Sequence, residues 1–199
     1  MTPYSATPIH MELDDRFYNT VRAAAFPQHM LRYRNDLAAQ SVGLDDLSDE
    51  DWLNHFGKFM PLDGNFSLPL ALCYHGHQFG VYNPEIGDGR GFLFAQMRAA
   101  DGRVLDLGTK GSGQTPFSRT ADGRLTLKGA VREILATEML EALGRHGPEV
   151  GQHFGARHRP HRLHPLLVAR SDGVLKVVSR KLHIRGRLTP QHPLRPDDV

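Results

Sequence analysis

Lys110 closes an apolar run, Val104-Leu105-Asp106-Leu107-Gly108-Thr109, and Glu133 follows it 23 residues later inside a periodic helical segment. An ammonium held by a helix carboxylate is a fixed positive charge, suited to neutralising phosphate oxygens. Upstream, Gly87-Asp88-Gly89-Arg90-Gly91 precedes a strand-like run. Glycines there let the backbone approach an anion and aim N–H groups at it, and Arg90 adds a charged donor. Downstream of Lys110, Gly111-Ser112-Gly113-Gln114-Thr115-Pro116-Phe117-Ser118-Arg119 leads to Asp122-Gly123-Arg124. That stretch carries hydroxyls, backbone donors and two arginines near a helix start, a set that suits an anion.

Each of these features alone is ordinary. Gly-Asp-Gly is commonly a plain turn, and a lone lysine or glutamate is commonly a solvated surface residue. Their order is less ordinary: glycine turn, hairpin, lysine, loop, helix, acid. Kinase-like folds hold nucleotide phosphates with that order of parts.

The elements that must position these residues read as follows. Phe92–Met97 and Val104–Lys110 flank an Asp-Gly pair and predict an antiparallel hairpin over 92–98 and 103–110. A helix is predicted over about 125–143, with Leu127, Val131, Ile134, Leu135 and Ala142 in one apolar stripe. Glu138 falls within that stripe and Glu133 on its polar side. Periodicity therefore favours Glu138 as the inward acid, and both stay candidates for pairing with Lys110. Leu70–Tyr74, Gln78–Tyr82 and Val174–Val178 read as short strands, and Ser48 ahead of Asp49-Glu50-Asp51 as a helix cap. Aromatic anchors (Phe17, Tyr18, Phe26, Trp52, Phe56) punctuate residues 1–60. Asp-Gly-Arg occurs at 88–90, 101–103 and 122–124, at unequal intervals that exclude a structural repeat.

A hydrophobic share of 40% and a charged share of 23% are those of a water-soluble globular chain of one domain or one lobe. No apolar run reaches the 18 residues a membrane helix needs, and the N-terminus has neither a signal-peptide core nor a transit-peptide composition. Cys73 is the sole cysteine, which excludes an internal disulfide and fits a reducing compartment, so the cytoplasm is expected. Charge divides the chain. Met1–Gly144 holds 13 Lys+Arg against 18 Asp+Glu, net −5, whereas Arg145–Val199 holds 11 against 4, net +7, with 7 of the 12 histidines.

The ordered motifs His75-Gly76-His77-Gln78-Phe79-Gly80, Gly87-Asp88-Gly89-Arg90, Lys110-Gly111-x-Gly113-x-Thr115-Pro116-Phe117-Ser118-Arg119, Asp122-Gly123-Arg124 and Arg132-Glu133-x-x-x-x-Glu138 closely resemble the SelO/YdiU family of protein adenylyltransferases. The likeness runs from about Phe56 to Gly144, with a thinner match at Leu31-Arg32-Tyr33-Arg34-Asn35. It implies an α+β fold, the N-terminal lobe of a protein-kinase-like pseudokinase (antiparallel hairpin plus helix), with an incomplete C-terminal lobe. It implies transfer of AMP from ATP to Ser, Thr or Tyr hydroxyls of proteins, with the nucleotide flipped relative to ordinary kinases and Mg²⁺ or Mn²⁺ required. By position it makes Gly87, Gly89, Arg90, Lys110, Asp122 and Gly123 nucleotide contacts and Glu133 the partner of Lys110, with Lys110 and Glu133 as catalytic residues. It gives His75 and His77 no metal role.

The resemblance stops near Gly144. Residues 1–144 form the SelO-like region, and 145–199 a basic tail rich in His, Arg and Pro that reads as divergent, disordered or from a shifted reading frame. The family's downstream Asn and Asp, its base and metal ligands, have no counterparts: no asparagine follows Asn83, and after Asp122 only Asp172, Asp197 and Asp198 remain. His183-Ile184-Arg185 is only faintly similar to the family's arginine segment. The alternative expectation is thus a truncated, non-catalytic nucleotide-binding fragment. The tail lacks the interleaved aromatics of a nucleic-acid binder, so no such partner is expected, nor a membrane. His158, His161 and His164 share a metal-like spacing, but Pro160 and Pro165 argue against the helix it would need.

Overall fold

Gly91–Arg98 is buried on both faces and Val104–Lys110 on the face that carries Leu105 and Leu107, so the molecule is organised around this pair of strands. The computed structural model describes residues 3–74, 76–146, 164–171 and 174–182. In chain order the short edge strand β1 (Tyr18–Thr20) is followed by β2 (Met30–Arg34), helix α1 (Asp36–Gln40) and helix α2 (Asp49–Trp52). Then come β3 (Leu70–Leu72), β4 (Gly76–Gln78), β5 (Val81–Asn83), β6 (Gly91–Arg98) and β7 (Val104–Lys110). β8 (Leu125–Thr126) leads directly into α3 (Leu127–His146), and β9 (His164–Ser171) and β10 (Val174–Leu182) complete the set.

The fold is mixed, an antiparallel sheet with few helices. Its strand order is β1-β3-β6-β7-β10-β9-β2, with β8 pairing β10, and β4 and β5 make a separate hairpin. The 92–98/103–110 hairpin expected from the Asp-Gly turn is present as β6 and β7, with Gly102 at positive φ. Its register sets Gly91 opposite Lys110 and Leu93 opposite Gly108, then shifts so that Ala95 faces Leu107. The shift leaves Phe94 as an extra residue, a bulge that swings its ring into the same core as Ala95 and Met97.

That core lies between β6–β7 and the α1–α2 segment. Ser48 caps α2 in a reciprocal capping box with Asp51. The helix runs on as a wider turn at Leu53–Gly57, which points Trp52 and Phe56 together at the sheet. Phe56 meets Phe94 edge-on at 5.6 Å between ring centres. Arg34 closes the corner from above: it donates to the carbonyls of Leu47 (2.7 Å) and Asp45 (2.8 Å) and lies 4.4 Å over the Trp52 ring.

Two sequence expectations are corrected. The sequence predicts one strand in the tail, Val174–Val178; β10 is longer, and β9 pairs with it and with β2. Pro165 and the flanking His and Arg residues hid β9 from a reading based on alternation. The second concerns α3, whose apolar stripe is split: Ile134 packs inward, but Leu127, Val131 and Leu135 are exposed, as is Met139. Its inner face carries Ala130, Glu133, Ile134, Thr137 and Glu138, with Ala130 fully buried, so polar pairing chose this face over apolar area. His75, His158, His161, Asp172, Asp197, Asp198 and His183-Ile184-Arg185 lie outside the described residues.

Candidate nucleotide site

Alternation along β7 turns Asp106, Gly108 and Lys110 to one side of the sheet, and α3 crosses that side. Between them lies a cavity of about 270 Å³, lined by Asp106, Gly108, Lys110, Glu133, Thr137 and the turn Asp88–Gly91. Gly108 matters here because its missing side chain leaves the middle of the wall open. Lys110 Nζ donates to Glu133 Oε1 at 2.7 Å, and both side chains are little more than a third exposed. Of the two candidate acids, Glu133 is therefore the one at Lys110. Glu138 is held elsewhere, accepting from Asn35 Nδ2 at 2.9 Å and Tyr33 Oη at 3.4 Å. Burial, and then the Glu138 charge, push the Tyr33 hydroxyl pKa up.

The glycine turn is held from outside. Thr115 Oγ1 donates to the Asp88 carbonyl and Ser118 Oγ to the Gly89 carbonyl, each at 2.5 Å. The hydroxyls that looked available to an anion are thus spent strapping the 111–119 loop onto the turn. This corrects the expectation for Thr115 and Ser118. With the carbonyls engaged on that side, the N–H groups of Gly89 and Arg90 have no acceptor among the described residues. Gly87 is needed for packing, since a Cβ there would sit 2.5 Å from the Phe117 ring and 2.7 Å from the Leu72 carbonyl. Gly123, at φ +72°, lies against the Gly113 carbonyl, and Gly113 N–H donates back to the Gly123 carbonyl at 3.3 Å.

The site residues that the sequence implies therefore divide. Gly89, Arg90, Lys110 and Glu133 line the cavity. Gly87 and Gly123 line an adjoining concavity on the other side of the turn, which Gly89 and Arg90 share. Asp122 lines neither; it accepts from the Arg124 backbone N–H at 2.9 Å on an exposed loop. Arg124 stacks over Phe26 and Arg119 over Phe79, at 5.1 and 5.8 Å. His77 packs edge-on to Tyr82.

Tyr74, Asp88 and Asp106 also line the cavity, although the sequence pattern assigns none of them a role. Period-two counting back from Lys110 finds Asp106; nothing comparable marks Tyr74. Burial, then Asp88, raise the Tyr74 pKa, so the phenol stays protonated. Each cavity carboxylate has a protein donor: Glu133 has Lys110, Asp106 has Gln96 Nε2 (2.7 Å) and Asp88 has the Leu72 N–H (3.2 Å). No three metal-ligating side chains converge among the described residues. The described residues thus do not by themselves fit a divalent cation.

The profile of the family described as Protein adenylyltransferase SelO matches residues 2–147. This chain belongs to the SelO family. Relatives agree: a protein nucleotidyltransferase YdiU of Trichodesmium erythraeum is 53% identical over 143 residues, covering 70% of this chain and 28% of its own length. That of Synechococcus elongatus is 51% identical over 144 residues, 71% of this chain and 28% of the relative. That of Aeromonas salmonicida is 49% identical over 115 residues, 58% of this chain and 24% of the relative. The chain thus spans about a quarter of the length of these relatives. No helix among the described residues is long and apolar enough to cross a membrane.

Proposed function

We propose that the Lys110 cavity binds the phosphates of ATP, and that the complete protein transfers AMP from ATP to hydroxyl groups of proteins. The observation that carries this reading is the 2.7 Å Lys110–Glu133 pair beside the Gly89–Arg90 turn. The pair leaves two of the three ammonium donors for phosphate oxygens and fixes where they point. The N–H groups of Gly89 and Arg90 and the exposed Arg90 guanidinium supply further donors. Sheet, hairpin lysine and helix acid together support a kinase-like lobe. The relatives' name, protein nucleotidyltransferase, supports the transfer.

In the transfer, the acceptor oxygen attacks the α-phosphorus, the bond from that phosphorus to the bridging oxygen breaks, and pyrophosphate leaves. The hydroxyl proton must pass to a base, and the three cavity carboxylates are already engaged. The chain's short span of its relatives favours a second reading, in which these 199 residues hold nucleotide without transferring it. Joining residues 1–144 to the remaining length of the Trichodesmium relative separates the two. ATP labelled at the α-phosphorus should then label protein, and Lys110→Ala should abolish it. Label arriving only from the γ-phosphorus would sink the adenylyl assignment. Labelling by the 199-residue chain alone would sink the second reading.

A further inference from the structure

The inner face of α3 is pinned at both edges. Glu133 and Glu138 are five residues apart, about 140° around the helix and about 7.5 Å along it. Ala130, Ile134 and Thr137 lie between them, and Ala130 packs with Leu125, Tyr33 and Ile134. One edge meets Lys110 and the other meets Asn35 and Tyr33. Asn35 is itself fixed, because its Oδ1 caps α1 by accepting from the Ala38 N–H at 3.0 Å. Its neighbour Arg34 ties the same corner to the Asp45 and Leu47 carbonyls and to Asp36. One asparagine amide thus joins the N-terminus of α1 to the helix that carries Glu133.

We propose that Asn35, Tyr33 and Glu138 are positioning residues that set the rotation of α3 and so hold Glu133 at Lys110. Their link to nucleotide binding rests on the function proposed above; their effect on the ion pair does not. α3 rolled away from the β2–α1 corner would carry Glu133 off Lys110, since a helix turns as a unit. What Glu138 contributes is an acceptor in the right place rather than a charge, so glutamine should replace it.

The test is trace acetylation of Lys110 in the 199-residue chain without nucleotide, read by mass spectrometry against the exposed Lys128. An ion pair little more than a third exposed shields its ammonium by about 2- to 5-fold. Glu138→Ala should raise Lys110 labelling by that factor, as Glu133→Ala does, while Glu138→Gln leaves it at the wild-type level. Asn35→Asp keeps the α1 cap, removes the amide donor and sets a carboxylate against Glu138. It should raise labelling too, and it decides the matter where Glu138→Ala does not fold. Folded Asn35→Asp with Lys110 as protected as in wild type overturns the proposal. So does Glu138→Gln behaving like Glu138→Ala. Failure of ATP to bind would leave this result untouched and count only against the functional reading.

Discussion

Lys110 Nζ sits 2.7 Å from Glu133 Oε1, although a helical wheel assigns Glu133 to the polar side of α3. The wheel fails because α3 turns only the Ile134–Glu138 edge of its stripe inward, beside Glu133 and Thr137, and leaves Leu127, Val131 and Leu135 outside. Leu135 is 63% exposed, while Glu133 and Glu138 each find a partner.

This pair should matter more to ligand than to fold. At these exposures an ion pair contributes under about 1 kcal/mol to stability. Glu133→Gln should therefore shift the urea midpoint little. It should still weaken ATP binding, because the ammonium loses its fixed position. A large loss of stability with unchanged affinity would reverse that assignment.

Gly87 and Gly123 should be intolerant for different reasons. Gly87→Ala places a methyl group against the Phe117 ring and the Leu72 carbonyl, an overpacking worth about 1–3 kcal/mol. Gly123→Ala adds backbone strain at φ +72° and pushes on the Gly113 carbonyl, so it should loosen the 111–119 strap. Thermal melts of both, with Gly80→Ala as a control whose Cβ meets nothing within 4 Å but shares the positive φ, separate crowding from conformation.

Gln96 is fully buried, accepts from the His10 N–H at 2.9 Å, and places its amide nitrogen 2.7 Å from both His10 Nδ1 and Asp106 Oδ1. Gln96→Leu keeps the volume and strands those partners, at about 1–3 kcal/mol for a buried group left unpaired. Because Asp106 lines the cavity, the variant should also weaken ATP binding. A denaturation midpoint equal to wild type would show that the network carries no stability.

Cys73 should be a slow nucleophile. Burial, and then the charge of Asp88, raise its pKa above the ordinary thiol value. The thiolate is the reactive form, so alkylation by iodoacetamide at pH 8 should lag behind a free cysteine and gain on it as pH rises further. Asp88→Asn removes only the smaller cause and should speed the reaction modestly. Alkylation at the free-cysteine rate would contradict the shielding.

Much of this arrangement is legible in the residues. Asp101-Gly102 announces the β6–β7 hairpin, and Ser48 with Asp51 announces α2, because turn and cap chemistry are local. The order glycine turn, lysine, helix acid also survives into three dimensions as one cavity wall. The facing of α3 is not legible, since it depends on Asn35 and Tyr33, roughly a hundred residues away. Nor is the use of Thr115 and Ser118, whose hydroxyls serve carbonyls some thirty residues upstream rather than a ligand. Alternation also missed β9, where Pro165 and charged residues interrupt the pattern.

Lys110 and its glycine turn should hold nucleotide, which titration of the 199-residue chain with a fluorescent ATP analogue measures. Saturable binding is predicted, weakened about tenfold or more by Lys110→Ala, the size of a charge-assisted hydrogen bond, and displaced by unlabelled ATP. No saturable binding by a folded chain, or equal affinity in Lys110→Ala, would contradict it.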